Sequence, residues 1–132
     1  MKLEDQVCSL NLAKRLKELN VKQESLFYWV NQVAMKDAET IWFPDDPKDL
    51  KPYRHYSAFT VAELGELLPE RIVFEDFPAW PIFANHLNGV GGKYLCAYRR
   101  DGKQVILFQG ETEADCRAKM LIYLIEKGIV KP

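Results

Sequence analysis

The chain has little of what supports covalent or metal chemistry. Its 132 residues include three cysteines, Cys8, Cys96 and Cys116, and two histidines, His55 and His86. The cysteines are odd in number and widely spaced, and they form no C-x-x-C pair, so the pattern favours reduced thiols over a disulfide framework or a zinc site. We therefore expect no metal and no cofactor.

Long apolar runs and an excess of one charge are also missing. No stretch approaches the roughly eighteen apolar residues that cross a bilayer, and the first five residues, MKLED, lack the basic and then apolar order of a signal peptide. Eighteen Lys and Arg against nineteen Asp and Glu give a net charge of −1, so no overall field attracts nucleic acid or an anionic membrane. These absences predict a cytoplasmic protein that does not bind membranes.

The most informative stretch runs from Lys93 to Val130. Two strand-like runs, Lys93–Arg99 and Lys103–Gln109, flank Asp101-Gly102, which predicts a hairpin with a two-residue type I′ turn. Both faces of this hairpin are apolar, so we expect one to pack on helices and part of the other to meet a partner protein or a second copy. The register counted from the turn pairs Tyr98 with Val105, Cys96 with Leu107 and Leu95 with Phe108.

A helix follows the hairpin directly. Thr112 is a good N-cap with Asp115 three residues on, and Gly128 marks the other end. The run from Met120 to Ile125 is apolar around much of the helix circumference, which predicts that this helix lies at the centre of the core.

Caps and periodicity indicate two further helices. Leu10–Leu19 is predicted as a helix with Ser9 as N-cap and Asn20 at the left-handed C′ position. Leu3 and Val7 leave open an alternative in which this helix starts earlier and Ser9 is interior. The second helix begins at Thr60, which with Glu63 forms a capping box before an apolar stripe that ends at Pro69.

The remaining elements are strands and irregular segments. Leu26–Val30 and Thr40–Phe43 are rich in aromatic and β-branched residues and predict a hairpin, and a short strand follows at Arg71–Glu75. Residues 44–56 are predicted as a long surface loop, and residues 76–92 as an irregular segment rich in proline and glycine. The fold class expected for residues 1–132 is a single α+β domain, in which a mostly antiparallel sheet of four to five strands is packed by two to three helices in the order α-β-β-α-β-β-β-α.

The chain offers weak candidates for catalysis. Gly89–Lys93 fails the spacing of a phosphate-binding loop and precedes a strand rather than a helix. Cys116 falls in the first turn of the last helix, where the helix N-terminus can lower a thiol pKa, and His86 is its candidate base. Because no stronger constellation exists, a non-enzymatic protein is the first hypothesis and a Cys/His enzyme is the last.

Nucleic-acid binding is the second hypothesis, in two versions. Residues 10–30 have a basic helix followed by a turn, as in an atypical helix-turn-helix. Alternatively, aromatic side chains on a sheet face could stack single-stranded bases beside basic residues. The aromatic residues considered for this role are Trp29, Trp42, Trp80, Tyr94 and Tyr98.

The chain resembles a family of small uncharacterised proteins of bacterial phages and prophages in three runs: SLNLAKRLKELNVKQESLFYWV (9–30), YSAFTVAELGELLPE (56–70) and EADCRAKMLIYLIEKG (113–128). The resemblance covers about half of the chain. It implies a soluble, intracellular accessory protein, and it brings no activity, cofactor or site residue with it.

The sequence therefore predicts a protein-interaction module, acting as a homodimer or on another protein. The candidate surface is the part of the hairpin that the last helix leaves uncovered, together with the basic tip. Its residues are Tyr94, Tyr98, Arg99, Arg100 and Lys103.

Overall fold

The computed structural model describes residues 2–31, 39–84 and 94–132. Within them the chain forms an α+β fold whose strands all pair antiparallel, which confirms the predicted fold class. The elements are α1 (Leu3–Gln6), α2 (Leu10–Glu18), β1 (Tyr28–Asn31), β2 (Glu39–Trp42), a 3-10 helix (Pro47–Leu50), β3 (Arg54–Ser57), α3 (Val61–Leu67), β4 (Ile72–Phe74), β5 (Phe77–Ala84), β6 (Tyr94–Arg100), β7 (Lys103–Gly110) and α4 (Glu113–Glu126).

The strands are divided between two sheets, where the sequence predicted one. The first sheet has the order β2-β1-β3 and the second the order β4-β5-β6-β7. The predicted hairpin of β1 and β2 and the predicted short strand β4 are confirmed. The two additional strands, β3 and β5, lie in segments 44–56 and 76–92, which the sequence predicted to be irregular.

Segment 44–56 is exposed over most of its length, but it is not an irregular loop, because it contains the 3-10 helix and most of β3. Its 3-10 helix places Leu50 in a small apolar cluster with Tyr28 and Val30, and β3 then pairs with β1. A single buried leucine in a 3-10 turn produces no hydrophobic period, so the prolines and charges around it dominated the sequence pattern.

The prediction of an irregular segment at 76–92 is also wrong for Phe77–Ala84, which forms β5. β4 pairs only with residues 77–79 and β6 only with residues 80–84. Pro78 and Pro81 each lie where β5 has one neighbouring strand, and this edge-like position tolerates a residue without an N–H. Two prolines therefore do not break the strand, although they conceal it in the sequence. Residues 85–93 lie outside the described residues.

The Asp-Gly turn forms as predicted, but the register beyond it differs. Asp101 and Gly102 have φ of 51° and 76°, and positive φ at both loop residues confirms a type I′ turn. A β-bulge then leaves Val105 without a partner, because Arg99 pairs with Gln104 and Tyr98 with Ile106. The three predicted cross-strand pairs are thus wrong by one residue. The observed pairs are Tyr98 with Ile106, Ala97 with Leu107, Cys96 with Phe108 and Leu95 with Gln109.

The last helix, α4, lies at the centre of the main core, as predicted. Thr112 Oγ1 accepts a hydrogen bond from the Asp115 N–H at 3.1 Å, and Gly128 has a φ of 72°. α4 contacts β6, β7, α2 and α3. Its buried residues are Ala114, Cys116, Ala118, Met120, Leu121 and Leu124.

The N-terminal helices settle the alternatives that the sequence left open. α1 and α2 are separate helices. Ser9 occupies the N-cap position of α2, but its side chain accepts no capping hydrogen bond. Its N–H instead donates to Asp115 Oδ1 at 2.8 Å, which ties the start of α2 to α4. The capping box of Thr60 and Glu63 is present with both hydrogen bonds, and Asn20 has the expected positive φ of 67°.

One side of the three-stranded sheet packs against the main core, to which the four-stranded sheet also contributes. Trp29 and Tyr56, which are opposite one another in β1 and β3, pack against this core, and Trp29 Nε1 donates to the Cys8 carbonyl at 3.0 Å. The other side of the same sheet carries Tyr28 and Val30 beneath Leu50. The first sheet is therefore covered on both sides.

Candidate interaction surface

The four-stranded sheet presents one face to the helices and one face away from them. Residues that alternate along its strands, including Ala79, Cys96 and Tyr98, belong to the core that α4 organises. The residues between them point to the opposite side. We call the following residues the outer face: Val73, Pro78, Trp80, Arg99 and Leu107.

Three large apolar side chains of the outer face are in contact with solvent. The exposed fractions are 57% for Val73, 52% for Trp80 and 38% for Leu107. Leu95 and Ala97, on the same side of the sheet, are buried. The exposure is thus concentrated toward the end of the sheet at the Asp-Gly turn, where Trp80 pairs with Arg99. Single exposed apolar residues are common, but an exposed group on one sheet face is typical of a binding surface.

A basic group lies beside this exposed region. Arg99 Nη2 donates to the Gly102 carbonyl at 3.1 Å, and the Arg100 guanidinium lies 4.9 Å from the centre of the Phe77 ring. Lys103 is exposed at the start of β7. We call Arg99, Arg100 and Lys103 the hairpin tip.

The two predicted surface tyrosines lie elsewhere. Tyr98 is fully buried on the inner face, and its hydroxyl donates to the Pro69 carbonyl at 2.6 Å, so including it in the surface was wrong. Burial also raises the pKa of Tyr98 above its usual value. Tyr94 is half-buried on the same inner side and borders a cavity near Glu111. The hairpin face that carries these tyrosines is the one that α4 covers.

Sequence reasoning missed the part of the surface that β4 and β5 supply. Residues 77–84, FPAWPIFA, are a continuous apolar run of the length of a strand, which is the signal that could have found β5. The prolines favour an irregular segment, so the sequence predicts for Trp80 only a role in base stacking and predicts none for Val73 and Pro78.

The helix-turn-helix hypothesis is wrong for residues 10–30. After α2 ends at Glu18, residues 21–27 form no helix and lead into β1. Lys17, a basic residue of the proposed motif, donates from Nζ to the His55 carbonyl at 2.8 Å. Residues 19–30 therefore contain no second helix that could enter a DNA groove.

The five aromatic residues do not form a common stacking platform. Trp29 and Trp42 belong to the three-stranded sheet, and the Trp42 ring packs edge-on against Tyr53 at 5.2 Å. Tyr94 and Tyr98 are on the inner face of the other sheet and Trp80 is on its outer face. Of the five, Trp80 is the exposed one, and it pairs with Arg99 of the hairpin tip.

The three cysteines are buried and poor nucleophiles. Burial raises the pKa of Cys116 to about 11 and those of Cys8 and Cys96 to about 12. The Cys116 Sγ donates to the Tyr94 carbonyl at 2.8 Å. Desolvation thus outweighs the effect expected from the N-terminus of α4, and the thiol at this position stays protonated at neutral pH.

Other candidates for chemistry are used by the fold or lie outside the described residues. His55 Nδ1 is 2.9 Å from the Tyr53 carbonyl, and its ring meets that of Tyr28 edge-on. His86, the candidate base for Cys116, lies outside the described residues, as does Gly89–Lys93. Among the residues that the structure describes, no cluster of His, Cys, Asp or Glu has the arrangement of a metal site.

A cavity of about 380 Å³ lies between α1 and the starts of α3 and α4. Asp5, Glu111 and Glu113 give it an acidic lining. Glu113 Oε1 accepts a hydrogen bond from Arg117 at 2.9 Å, and Thr60, also in the lining, belongs to the capping box. These two residues already serve the fold, so the outer face and hairpin tip are the better candidate site.

Comparisons with protein families, curated proteins and solved structures find no match to this chain. Among the described residues, no helix has both the length and the apolar character needed to cross a membrane. The functional interpretation therefore depends on the outer face, the hairpin tip and the edge of the sheet beside them.

Proposed function

We propose that this chain is a non-enzymatic protein-interaction module that binds a protein partner through its outer face and hairpin tip. The observation that supports this most strongly is the exposure of Val73, Trp80 and Leu107 on one side of a sheet whose other side is packed by helices everywhere except near Phe77, which is also exposed. Tryptophan and arginine are the residues most often found at the energetic centre of protein interfaces, and here Trp80 and Arg99 are cross-strand neighbours.

The charges indicate the chemistry of the partner. Arg99 lies opposite Trp80 on the outer face, while Arg100 and Lys103 pair with one another at the end of the sheet, where Glu75, Asp76 and Asp101 are also exposed. An apolar patch with an acidic residue placed to meet Arg99 would complement the outer face, since opposite charges at the rim accelerate and orient association.

The accessory role and the cytoplasmic location belong to the same proposal. The resemblance of residues 9–30, 56–70 and 113–128 to phage and prophage proteins supports an accessory protein that acts inside a bacterial host cell. The raised pKa of Cys116 supports a role that does not depend on thiol chemistry. In this interpretation the module acts by binding.

Affinity capture from the lysate of an infected or lysogenic host tests the proposal. Wild-type chain is compared with Trp80→Ser and with the matched control Leu26→Ser, which removes a side chain that is 56% exposed outside the outer face. We expect the same protein to be retained by wild type and by the control, and to be lost from Trp80→Ser. Equal retention by all three variants would contradict the proposal.

Binding of single-stranded nucleic acid is the second candidate. The observation that favours it is the position of Trp80 beside Arg99 and the other cations of the hairpin tip, because an aromatic ring next to positive charge stacks bases without sequence preference. A gel-shift assay at low salt with duplex and single-stranded probes tests it. Binding of the single strand that is lost in Trp80→Ser and in Lys103→Glu would support this candidate over a protein partner.

A further inference from the structure

The exposed apolar side chains of the outer face lie in one row. The register places Trp80 one strand and two residues away from Val73, and Leu107 two strands and two residues beyond Trp80 in the same direction. Since strands are about 4.8 Å apart and residues rise about 3.3 Å along a strand, the three side chains form a diagonal row about 20 Å long. Arg99, which is opposite Trp80, lies in this row between Trp80 and Leu107. The order along the row is therefore apolar, apolar, basic, apolar.

The surface beside the row is less open. Leu95 and Ala97 point to the same side of the sheet and are buried. In the other direction the sheet ends at the turns of residues 75–76 and 101–102. Among the described side chains, the open apolar surface is therefore a single row wide.

The shape of this surface limits the element that can cover it. The backbone groups of a sheet point along the sheet, so a segment lying on its face finds no backbone partner there and must satisfy its own N–H and C=O groups. A helix does this alone, whereas a second sheet presents several parallel rows of side chains. A polyproline segment needs a groove lined by aromatic rings, and Trp80 is the one exposed aromatic side chain described on this face. A single row thus fits one helix.

The edge of the sheet is a poorer place for the partner. β7 is an end strand, but Lys119 Nζ donates to the Gln109 carbonyl at 2.9 Å and occupies an acceptor that an added strand would use. The β-bulge at Val105 also interrupts the regular spacing of backbone groups along β7. The face is therefore the better position for a binding element.

Arg99 provides the charge that the binding element has to match. Its Nη2 donates to the Gly102 carbonyl at 3.1 Å, and its buried Nε has no acceptor. Arg99 forms no ion pair with any residue that the structure describes. A carboxylate that reaches the guanidinium would form a charge-assisted hydrogen bond, which is stronger than the present bond to a neutral carbonyl.

We propose that the partner covers the outer face with one amphipathic helix that lies along the row from Val73 to Leu107. At about 1.5 Å per residue, roughly 13 helical residues span the row. Apolar residues at about positions i, i+4 and i+11 share one face of this helix and contact Val73, Trp80 and Leu107, while an Asp or Glu at about i+7 or i+8 meets Arg99. The inference rests on the proposed function and specifies the element by which the partner binds.

Selection from two display libraries tests the inference. One library randomises one helix face of a three-helix scaffold, the other displays flexible linear peptides, and both are panned on the full chain. We expect the helical library to yield binders with the predicted pattern, whose affinity falls about thirtyfold on Trp80→Ser. Leu26→Ser, which changes a side chain exposed outside the outer face, is the control and should bind them like wild type.

A charge reversal tests the position of the acidic residue. Arg99→Glu should weaken binding of a selected helix by roughly tenfold, and changing the acidic residue of that helix to lysine should restore its binding to Arg99→Glu. Arg54→Glu, the same change at an exposed arginine of the three-stranded sheet, is the control and should bind like wild type. Equal effects of the two reversals would overturn the inference. So would a helical library that yields no binder sensitive to Trp80→Ser, or binders that come from the linear library alone.

Different measurements decide the inference and the proposed function. If Trp80→Ser loses the captured host protein and the helical library yields no binder sensitive to this change, the proposed function stands and the helix is wrong. If capture is unchanged by Trp80→Ser, the proposed function fails and the inference fails with it. Displacement of the captured protein by a selected helix would support both.

Discussion

The guanidinium of Arg117 lies across Gly65, so that a β-carbon at this glycine would be 2.5 Å from Arg117 Nη1. Arg117 extends from α4 to α3, where Nη1 donates to the Val61 carbonyl at 3.0 Å, while Nη2 donates to Glu113 at 2.9 Å. A glycine in the middle of α3 costs helix stability. Here it gives the arginine room to connect the two helices.

We predict that Gly65→Ala destabilises the protein although alanine is the better helix former. Alanine favours the helix by about 1 kcal/mol, but displacing a nearly buried arginine loses hydrogen bonds to a charged group worth about 1.5–3 kcal/mol. The net loss should be about 1 kcal/mol in the free energy of unfolding, measured with urea.

The matched control uses the Arg117→Ala background. There the guanidinium is absent, and Gly65→Ala should stabilise the protein by about 1 kcal/mol. If Gly65→Ala stabilises the wild-type chain instead, the close approach of Arg117 to Gly65 does not require glycine at this position.

Tyr98→Phe should destabilise the protein by about 1–2 kcal/mol, because the change leaves the buried Pro69 carbonyl without the hydrogen bond that it accepts at 2.6 Å. Because phenylalanine keeps the shape of the rest of the side chain, the decrease in the free energy of unfolding measures the contribution of the Tyr98 hydroxyl. Tyr123→Phe, at a half-buried position on α4, is the control and should change the free energy of unfolding by a few tenths of a kcal/mol at most. Equal effects of the two changes would contradict the assigned role of the Tyr98 hydroxyl.

Substitutions in the β4–β5 turn should increase the stability of the protein. Glu75 and Asp76 have φ of 51° and 67°, which is unfavourable for residues with a β-carbon, and asparagine or glycine adopts this conformation more easily. Glu75→Asn and Asp76→Gly should each raise the free energy of unfolding by about 0.5–1 kcal/mol.

Gly102→Ala provides a control of opposite sign. Gly102 has a φ of 76°, and a β-carbon there would meet no atom within 4 Å, so any loss comes from the backbone alone. We expect a loss of about 1 kcal/mol. If Gly102→Ala raised the free energy of unfolding, or if Glu75→Asn and Asp76→Gly both lowered it, positive φ at these positions would not limit the stability of the protein.

The buried thiols should make the protein less stable at alkaline pH. The pKa of the Cys116 thiol rises from 9.0 to about 11 in the folded protein, so this thiol does not lower the free energy of unfolding below pH 9. Above that value the unfolded chain releases the proton first, so the free energy of unfolding falls between pH 9 and about pH 11. Urea denaturation across this range measures the fall, and Cys116→Ala should make it shallower.

Thiol labelling gives an independent check of the same groups. At neutral pH all three cysteines should react slowly in the folded protein and rapidly in denaturant, since the thiolate is the reactive form and the thiols are buried. Rapid labelling of Cys116 in the folded protein would contradict the raised pKa and would reopen the hypothesis of a thiol enzyme.

The sequence predicted best what depends on short-range chemistry. The capping box of Thr60 and Glu63, the left-handed Asn20 and the Asp101-Gly102 turn all involve residues a few positions apart, and all three form as expected. It predicted poorly what depends on distant partners. The bulge at Val105 shifts the hairpin register, and the two prolines in β5 are tolerated only because of where β4 and β6 begin and end.

The candidate surface shows the same division. The sequence by itself determined the class of the fold, the central position of α4 and the basic hairpin tip, because caps, apolar runs and turn residues act locally. Only the tertiary structure decided which face of the hairpin is covered. The alternation of side chains assigns each residue to one of two faces, but it does not show which face packs against a helix. Packing buried Tyr98 and left Trp80 and Leu107 exposed.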